Sequence, residues 1–367
     1  MVTRKKRRTA AVPEQPSGTL AIQMPPEKAE PASIGNVLMM VVPMLGSTGV
    51  MVFMAMQSES PRSMLMGGGM LVAMLGMVGF NMFRQFSQYR TRVKTQRREY
   101  LSYLAETRES VRKVAKKQRA YYNWVYPSPD ALVTLAANGS RLWSREGNTY
   151  DLLTFRYGSG TQPLGLIFER PPIDPMTEMD VVCLSAMERF IGVHDHTDNV
   201  GKFLYLGDFS HIEVVGDGES AYDEMRAIMM HLACFIDPSK LKIAVLCSAD
   251  RLGDWEWVKW MPQARSSIVR DAVGPGRMIS TDPRELAEMI GPDIAMRGAY
   301  RPGDDMPEWP HLLLVCDGAE FPPNSPFGSA VGVRGVTIMS RAREWTPMKS
   351  HTALRLVIHP NPDHKGA

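Results

Sequence analysis

The sequence predicts a membrane α-helical hairpin, a long helical stalk, and then an α/β domain with a mainly parallel sheet. Three observations carry that reading. Two uncharged stretches, 31–57 and 63–83, stand near the start with a short polar link between them. The segment 84–125 contains neither Pro nor Gly and is strongly basic. Beyond Pro127, short apolar runs alternate with helical patterns, as parallel strands joined by crossover helices do.

The chain has 367 residues, with 42 Lys+Arg against 39 Asp+Glu and a net charge of +3. That length accommodates a hairpin and one or two further domains. The charge is unevenly spread. Residues 84–119 hold twelve Lys/Arg and only Glu99, Glu106 and Glu109 as acids. The four cysteines, Cys183, Cys234, Cys247 and Cys316, form no C-x-x-C pair and read as buried reduced thiols.

Each element has its own justification. Residues 1–30 combine Arg4, Lys5, Lys6, Arg7 and Arg8 with four prolines and read as a disordered basic cytoplasmic arm. The stretches 31–57 and 63–83 each reach the roughly 20 residues that a transmembrane helix needs. The link 58–62 turns the chain back, so both flanks lie on one side. Both flanks are basic, and the positive-inside rule places both termini in the cytoplasm. Twelve of the 27 methionines fall between Met39 and Met82, so the apolar character rests largely on Met. Gly69, Ala73 and Gly76 form a small-residue stripe on the second helix, a candidate packing interface.

The stalk, 84–125, fits a heptad frame. Val93, Tyr100, Thr107, Val114 and Tyr121 take one core position, and Arg97, Leu104, Val111, Gln118 and Val125 the other. Its basic character has three readings: inside-positive topology with attraction to anionic lipid, a solvated face, or nucleic-acid binding. The first is favoured, because the charges begin at the expected membrane edge. Pro127 ends the helix, and Asp130–Ala137 forms a short helix stopped by Asn138-Gly139.

The α/β domain is expected over 126–360, with 361–367 as a linker. Leu152–Tyr157 and Leu164–Glu169 read as strands paired with each other across Gly158-Ser159-Gly160. Strands are expected at Ile212–Val215, Leu241–Cys247, Leu312–Cys316, Val336–Met339 and Ala353–Ile358, with helices at Ser220–Phe235 and Arg284–Ile290.

Gly216, Gly218 and Ser220 sit where a phosphate-loop NTPase carries its loop, between a strand and a helix. A working loop needs a Lys on the β/γ-phosphates and a Ser/Thr on Mg²⁺. Tyr222 falls at the Lys position and Asp223 at the Ser/Thr position. Asp217, Glu219, Asp223 and Glu224 add carboxylates that repel a triphosphate. Asp317 ends a Walker-B-like strand, but the next residue is Gly318, where such a strand carries an acid. The domain therefore reads as a degenerate P-loop ATPase-like fold with no catalytic residue of its own. Gly216, Gly218, Ser220 and Asp317 mark what remains of a nucleotide site. His194, Asp195, His196 and Asp198 read as solvated loop residues and not as a metal site. Trp255, Trp257 and Trp260 form either a clamp over one edge of the sheet or an interface anchor.

Several segments together resemble the N-terminal part of the EccC family, FtsK/SpoIIIE-type motor ATPases of the type VII (ESX) secretion system. They are Tyr122-Asn-Trp-Val-Tyr-Pro-Ser-Pro129, Leu142-Trp-Ser-Arg145, Gly216 through Ile228, and Asp254-Trp-Glu-Trp-Val-Lys-Trp-Met-Pro262. The resemblance implies a membrane-anchoring and coupling region in a protein-secretion machine of the bacterial inner (cell) membrane. It implies EccB, EccD and EccE partners, a homo-oligomer within a large complex, and contact with the lipid bilayer. It places ATP, Mg²⁺ and the exported substrates on further ATPase domains, with no cofactor in this chain and no nucleic-acid partner. The alternative is a membrane-bound DNA translocase of the FtsK kind, supported locally by the basic stalk alone.

Overall fold

The computed structural model describes residues 13–30, 61–139, 141–145, 152–216, 219–303, 308–342 and 353–358, with scattered positions between 39 and 57. The strands in chain order are β1 (Gly18–Ala21), β2 (Thr154–Pro163), β3 (Leu166–Glu169), β4 (His196–Tyr205), β5 (His211–Gly216), β6 (Leu241–Cys247), β7 (Arg265–Arg270), β8 (Pro275–Arg277), β9 (Ile279–Ser280), β10 (His311–Asp317), β11 (Val336–Ala342) and β12 (Ala353–Ile358). The helices are α1 (Pro61–Val125), α2 (Pro129–Asn138), α3 (Val181–His194), α4 (Ser220–Phe235), α5 (Leu252–Trp255), α6 (Pro283–Ile290) and α7 (Pro292–Ala295). Two compact units divide them. One comprises Gln15–Gln118 and Pro163–Thr197; the other is built mainly from Arg119–Gln162 and Asp198–Ala367.

The expected membrane hairpin is overturned. Among the described residues no helix is long and apolar enough to cross a membrane. The expected second span, 63–83, has no end of its own and belongs to α1, a single helix of 65 residues. Nothing breaks helix propagation at Phe83, since no Pro or Gly lies between Phe80 and Val125. The uncharged part of α1 mixes methionine, leucine, valine and phenylalanine with five glycines, which add no apolar side chain, and it runs on into the basic part of the same helix. The multi-pass placement with both termini cytoplasmic rested on the two spans and falls with them. The expected first span lies mostly outside the described residues.

In the first unit, β1 pairs in parallel with β3, Gly18 opposite Leu166 and Ala21 opposite Glu169. This strand lies within the segment expected to be a disordered arm. Ile22 beside it is buried, and the Tyr100 hydroxyl donates to the Gln23 carbonyl at 3.0 Å. The heptad face of α1 is covered by its own chain. Tyr100, Leu104 and Val111 pack with Leu164, Cys183, Met187 and Phe190 in one core. Buried Gln118 donates to the Pro163 carbonyl and accepts from the Gly165 amide, both at 2.8 Å. Asp180 caps α3 by accepting from the Val182 and Cys183 amides, and also takes a guanidinium nitrogen of Arg97 at 2.8 Å.

The second unit holds a six-stranded sheet in the order β12-β5-β11-β10-β6-β9, with its neighbouring strands parallel. All seven residues of β10 are buried, as a strand covered on both faces requires. α4 buries Ala221, Tyr222, Met225, Ile228, Met229 and Leu232, a helical face that lies against one side of the sheet. The other side is covered by Leu286, Ile290 and Ile294 from α6 and α7. The Asp282 side chain accepts from the Arg284 amide and caps α6. β2 pairs with β4 and β3 with β1, so the hairpin expected across 158–160 does not form.

Candidate functional site

In open parallel sheets, sites form beyond the carboxyl ends of the strands, where the strand order reverses. β5 and β10 bring Gly216 and Asp317 to that edge. A Cβ on Gly216 would stand 3.0 Å from Ser220 Oγ and 3.2 Å from Ile358 Cβ, so the turn into α4 is tight. Ser220 opens α4, and Glu219 before it makes no side-chain cap. Gly218 and Asp217 lie outside the described residues.

What fills this edge is protein. Tyr222 is buried and meets the Trp255 ring edge-on at 4.9 Å. Its hydroxyl donates to the Asp254 carbonyl. The guanidinium carbons of Arg226 and Arg251 lie 4.9 and 5.4 Å from the Tyr222 ring centre. Asp317 is wholly buried, and both carboxylate oxygens are engaged. Oδ1 accepts from Arg341 Nε at 2.7 Å, and Oδ2 accepts from Trp255 Nε1 at 2.9 Å and Arg251 Nε at 3.3 Å. A Mg²⁺ ion requires near-octahedral oxygen ligands at about 2.1 Å. Here it would face two guanidinium cations and would have to displace an indole N–H. The residues present do not fit a Mg²⁺-nucleotide.

A second constellation closes the end of α1. The last carbonyls of a helix have no intrahelical donor and carry the negative end of its dipole. The last turn of α1 contains no basic residue. Three arginines from elsewhere in the unit supply the donors. Arg141 Nη2 donates to the Trp124 carbonyl at 2.7 Å, Arg145 Nη2 to that of Val125 at 3.1 Å, and Arg156 Nη1 to that of Tyr126 at 2.8 Å. Arg141 also lies 3.7 Å over the Trp124 ring. Trp143, between two of these arginines, adopts a left-handed φ of 55°. The segments 122–129 and 142–145, separate in sequence, thus meet as one joint.

The three tryptophans occupy three environments. Trp255 is fully buried on Asp317, Trp257 is half-buried and stacked on Trp255 at 6.4 Å, and Trp260 is 76% exposed. Gly69, Ala73 and Gly76 lie exposed on α1, with nothing within 4 Å of a Cβ placed on either glycine. The His196 ring pairs with Asp195, His194 packs edge-on against Phe190 at 4.9 Å, and Asp198 accepts from the Thr161 hydroxyl at 2.8 Å. No group of three metal-ligating side chains comes together among the described residues. Sequence reasoning missed Arg251 and Arg341, whose contacts with Asp317 span 66 and 24 residues. It also missed Arg141 and Arg156, and it quoted Arg145 only within the segment 142–145 without its contact to the helix end. The available signal was three arginines just downstream of a helix end with no cation of its own.

Fold and site together define a parallel-sheet α/β protein whose strand-end site is filled by its own arginine and aromatic side chains, with a long helix held at its carboxyl end. No family model matches the chain. It is 31% identical over 362 residues to the ESX secretion system protein EccC of Thermomonospora curvata, covering 98% of this chain and 27% of that protein. It is 30% identical over 346 residues to the ESX-3 secretion system protein EccC3 of Mycobacterium tuberculosis, covering 91% and 25%. The ESX-1 secretion system protein EccCa1 of the same species is 31% identical over 257 residues, covering 65% and 33%. The chain is an EccC-type region of an ESX type VII secretion system. It spans about a quarter to a third of the length of these relatives.

Proposed function

We propose that this chain is the coupling region of an ESX motor ATPase. It tethers the ATPase domains of the complete protein to the secretion complex and performs no nucleotide chemistry itself. The observation that carries this reading is the three-arginine joint on the end of α1. Guanidinium groups grip successive backbone carbonyls, so a displacement of the helix end is delivered to the α/β unit through hydrogen bonds and not through a flexible linker. The engagement of Asp317 by Arg251, Arg341 and Trp255 supports the second half: the position that would assist Mg²⁺ serves as an internal ion-pair centre. The partners of this reading are EccB-, EccD- and EccE-type components and further copies of the chain, with exported substrates engaged by other parts of the protein.

The DNA-translocase alternative draws only on the basic residues of α1. Two of those are spent inside the chain, Arg97 on Asp180 and Arg119 on the Asp198 carbonyl at 3.0 Å. The relatives cited above are named for secretion. The test is an export assay in cells whose complete EccC carries Arg141→Ala with Arg145→Ala. The complex should assemble and export should fall at least tenfold. Undiminished export with the joint open would refute the coupling reading. ATP turnover by the purified chain that Asp317→Ala abolishes would refute the non-catalytic half.

A further inference from the structure

A cleft of about 150 Å³ lies beside the clamped helix end, between the 127–129 turn, β2 and α4. Pro127, Pro129 and Leu132 form an apolar wall, while Arg156, Glu224 and His231 form a polar one. His231 is 1% exposed, its ring stacked on Tyr126 and tilted against Phe235. Neither ring nitrogen has a hydrogen-bond partner among the described residues. Burial, with the charges of Arg145, Arg156 and Arg141, holds its pKa well below the ordinary value, so the imidazole is neutral. A neutral imidazole has one donor and one acceptor, and each polar group left unmet in a buried site costs about 1–3 kcal/mol. Both nitrogens are closed to solvent, so a ligand in the cleft meets one of them only when the ring turns toward it.

Arg156 and Glu224 both line this cleft and sense each other's charge, yet among the described residues no ion pair closes between them. Burial pushes the Glu224 carboxyl up to about 7, against the opposing pull of Arg156. The charged and titratable groups around it are Arg156 and Tyr157 on β2 and His231 on α4, with Arg141 and Arg145 behind His231. Arg141 and Arg156 give hydrogen bonds to carbonyls, which carry no formal charge. The surroundings are thus net positive and disfavour a metal ion, for which only Glu224 and His231 could serve as ligands.

We propose that this cleft binds a small carboxylate, either a free short-chain acid or the carboxylate of a peptide segment, with Arg156 donating to it, the His231 N–H joining as its ring turns toward the cleft, and Glu224 protonated beside it. The volume suits a group the size of acetate or propionate. Because binding requires the Glu224 proton, it strengthens as pH falls.

Saturation-transfer NMR on the full chain tests this with sodium acetate, sodium propionate and an end-blocked peptide carrying one aspartate. Transfer to acetate or propionate identifies a free acid, and transfer to the peptide alone identifies a peptide carboxylate. Protonation with a midpoint near 7 drops about tenfold between pH 6 and 8, and binding should fall with it. Glu224→Gln should bind without that dependence. His231→Phe, which keeps the ring stacking, should weaken binding several-fold. Transfer from none of the probes, or wild-type binding that is flat or rises with pH, would overturn the site, as would undiminished binding in both His231→Phe and Arg156→Met.

Discussion

Replacing Asp317 with Asn keeps the side chain's shape and removes its charge. Asp317 is fully buried, and the side chains of Arg341 and Arg251 are only 9% and 16% exposed. Removing one partner of such a buried pair costs about 3–5 kcal/mol, because the remaining charge stays buried without compensation. An Asn amide also turns an NH₂ group toward a site that offers only donors, Arg251, Arg341 and Trp255. The loss is comparable to much of a domain's stability, typically about 5–15 kcal/mol. Urea unfolding followed by tryptophan fluorescence measures it, since the Trp255 indole sits on the perturbed carboxylate. Arg341→Met and the double substitution complete a cycle, in which the pair should couple by more than about 1 kcal/mol. A loss below about 1 kcal/mol, or strict additivity, would refute the reasoning. The carboxylate would then be solvated and the strand end open to an ion.

Other perturbations test other parts. Tyr222→Lys restores the cation expected of a phosphate loop but should confer no ATP hydrolysis, because Asp317 remains engaged; a phosphate-release assay checks this. Leu104→Ala on α1 should destabilise the first unit by about 2–5 kcal/mol, since the residue is 4% exposed in a packed core, and hydrogen exchange across β1 and β3 would register it. Gly291→Ala should destabilise by more than about 1 kcal/mol, because φ there is 96° and the new Cβ would meet Ile268 Cδ1 at 1.9 Å; thermal unfolding reads the shift. The pH dependence has a definite sign. Burial lowers His311 to about 3 and depresses His231, so each contributes stability that is present above the unfolded value near 6.5 and lost as pH falls. Glu224, raised to about 7, acts oppositely: its contribution is present below the unfolded carboxylate value and lost as pH rises toward 7. Between pH 5 and 6.5, Glu224→Gln should steepen the acid loss by about one proton, or about 1.4 kcal/mol per pH unit, in urea titrations at stepped pH.

The central sheet was legible in the sequence because a strand buried on both faces must be largely apolar, and the runs Leu312–Cys316 and Ile243–Cys247 have that pattern. α4 was legible to its ends, and the stop after Val125 followed from Pro127. The short parallel strand Gly18–Ala21 was not, since four mostly exposed residues among prolines carry no periodic signal. The heptads of α1 were real but ambiguous: an apolar stripe does not say whether another chain or the same chain's α3, β1 and β3 will cover it. Asp317 was legible as a strand-end acid. Its partners were not, because nothing in local spacing ties Arg251 or Arg341 to it. The hairpin failed for a different reason: an uncharged run inside a longer helix is not by itself a bounded span.

β5 has a temporal consequence. Its two sheet neighbours are β11 and β12, and the buried ion pair of Arg355 with Glu213, Nε to Oε2 at 2.9 Å, joins residues 142 apart. During synthesis β5 emerges long before either flank exists, with Ile212 and Val214 awaiting cover and Glu213 without its cation. Such distant pairings close slowly and leave unpaired strand edges exposed meanwhile. The strand that anchors the site is therefore the last to be sheltered, and a chain halted before Ala353 would present its Glu213 edge bare.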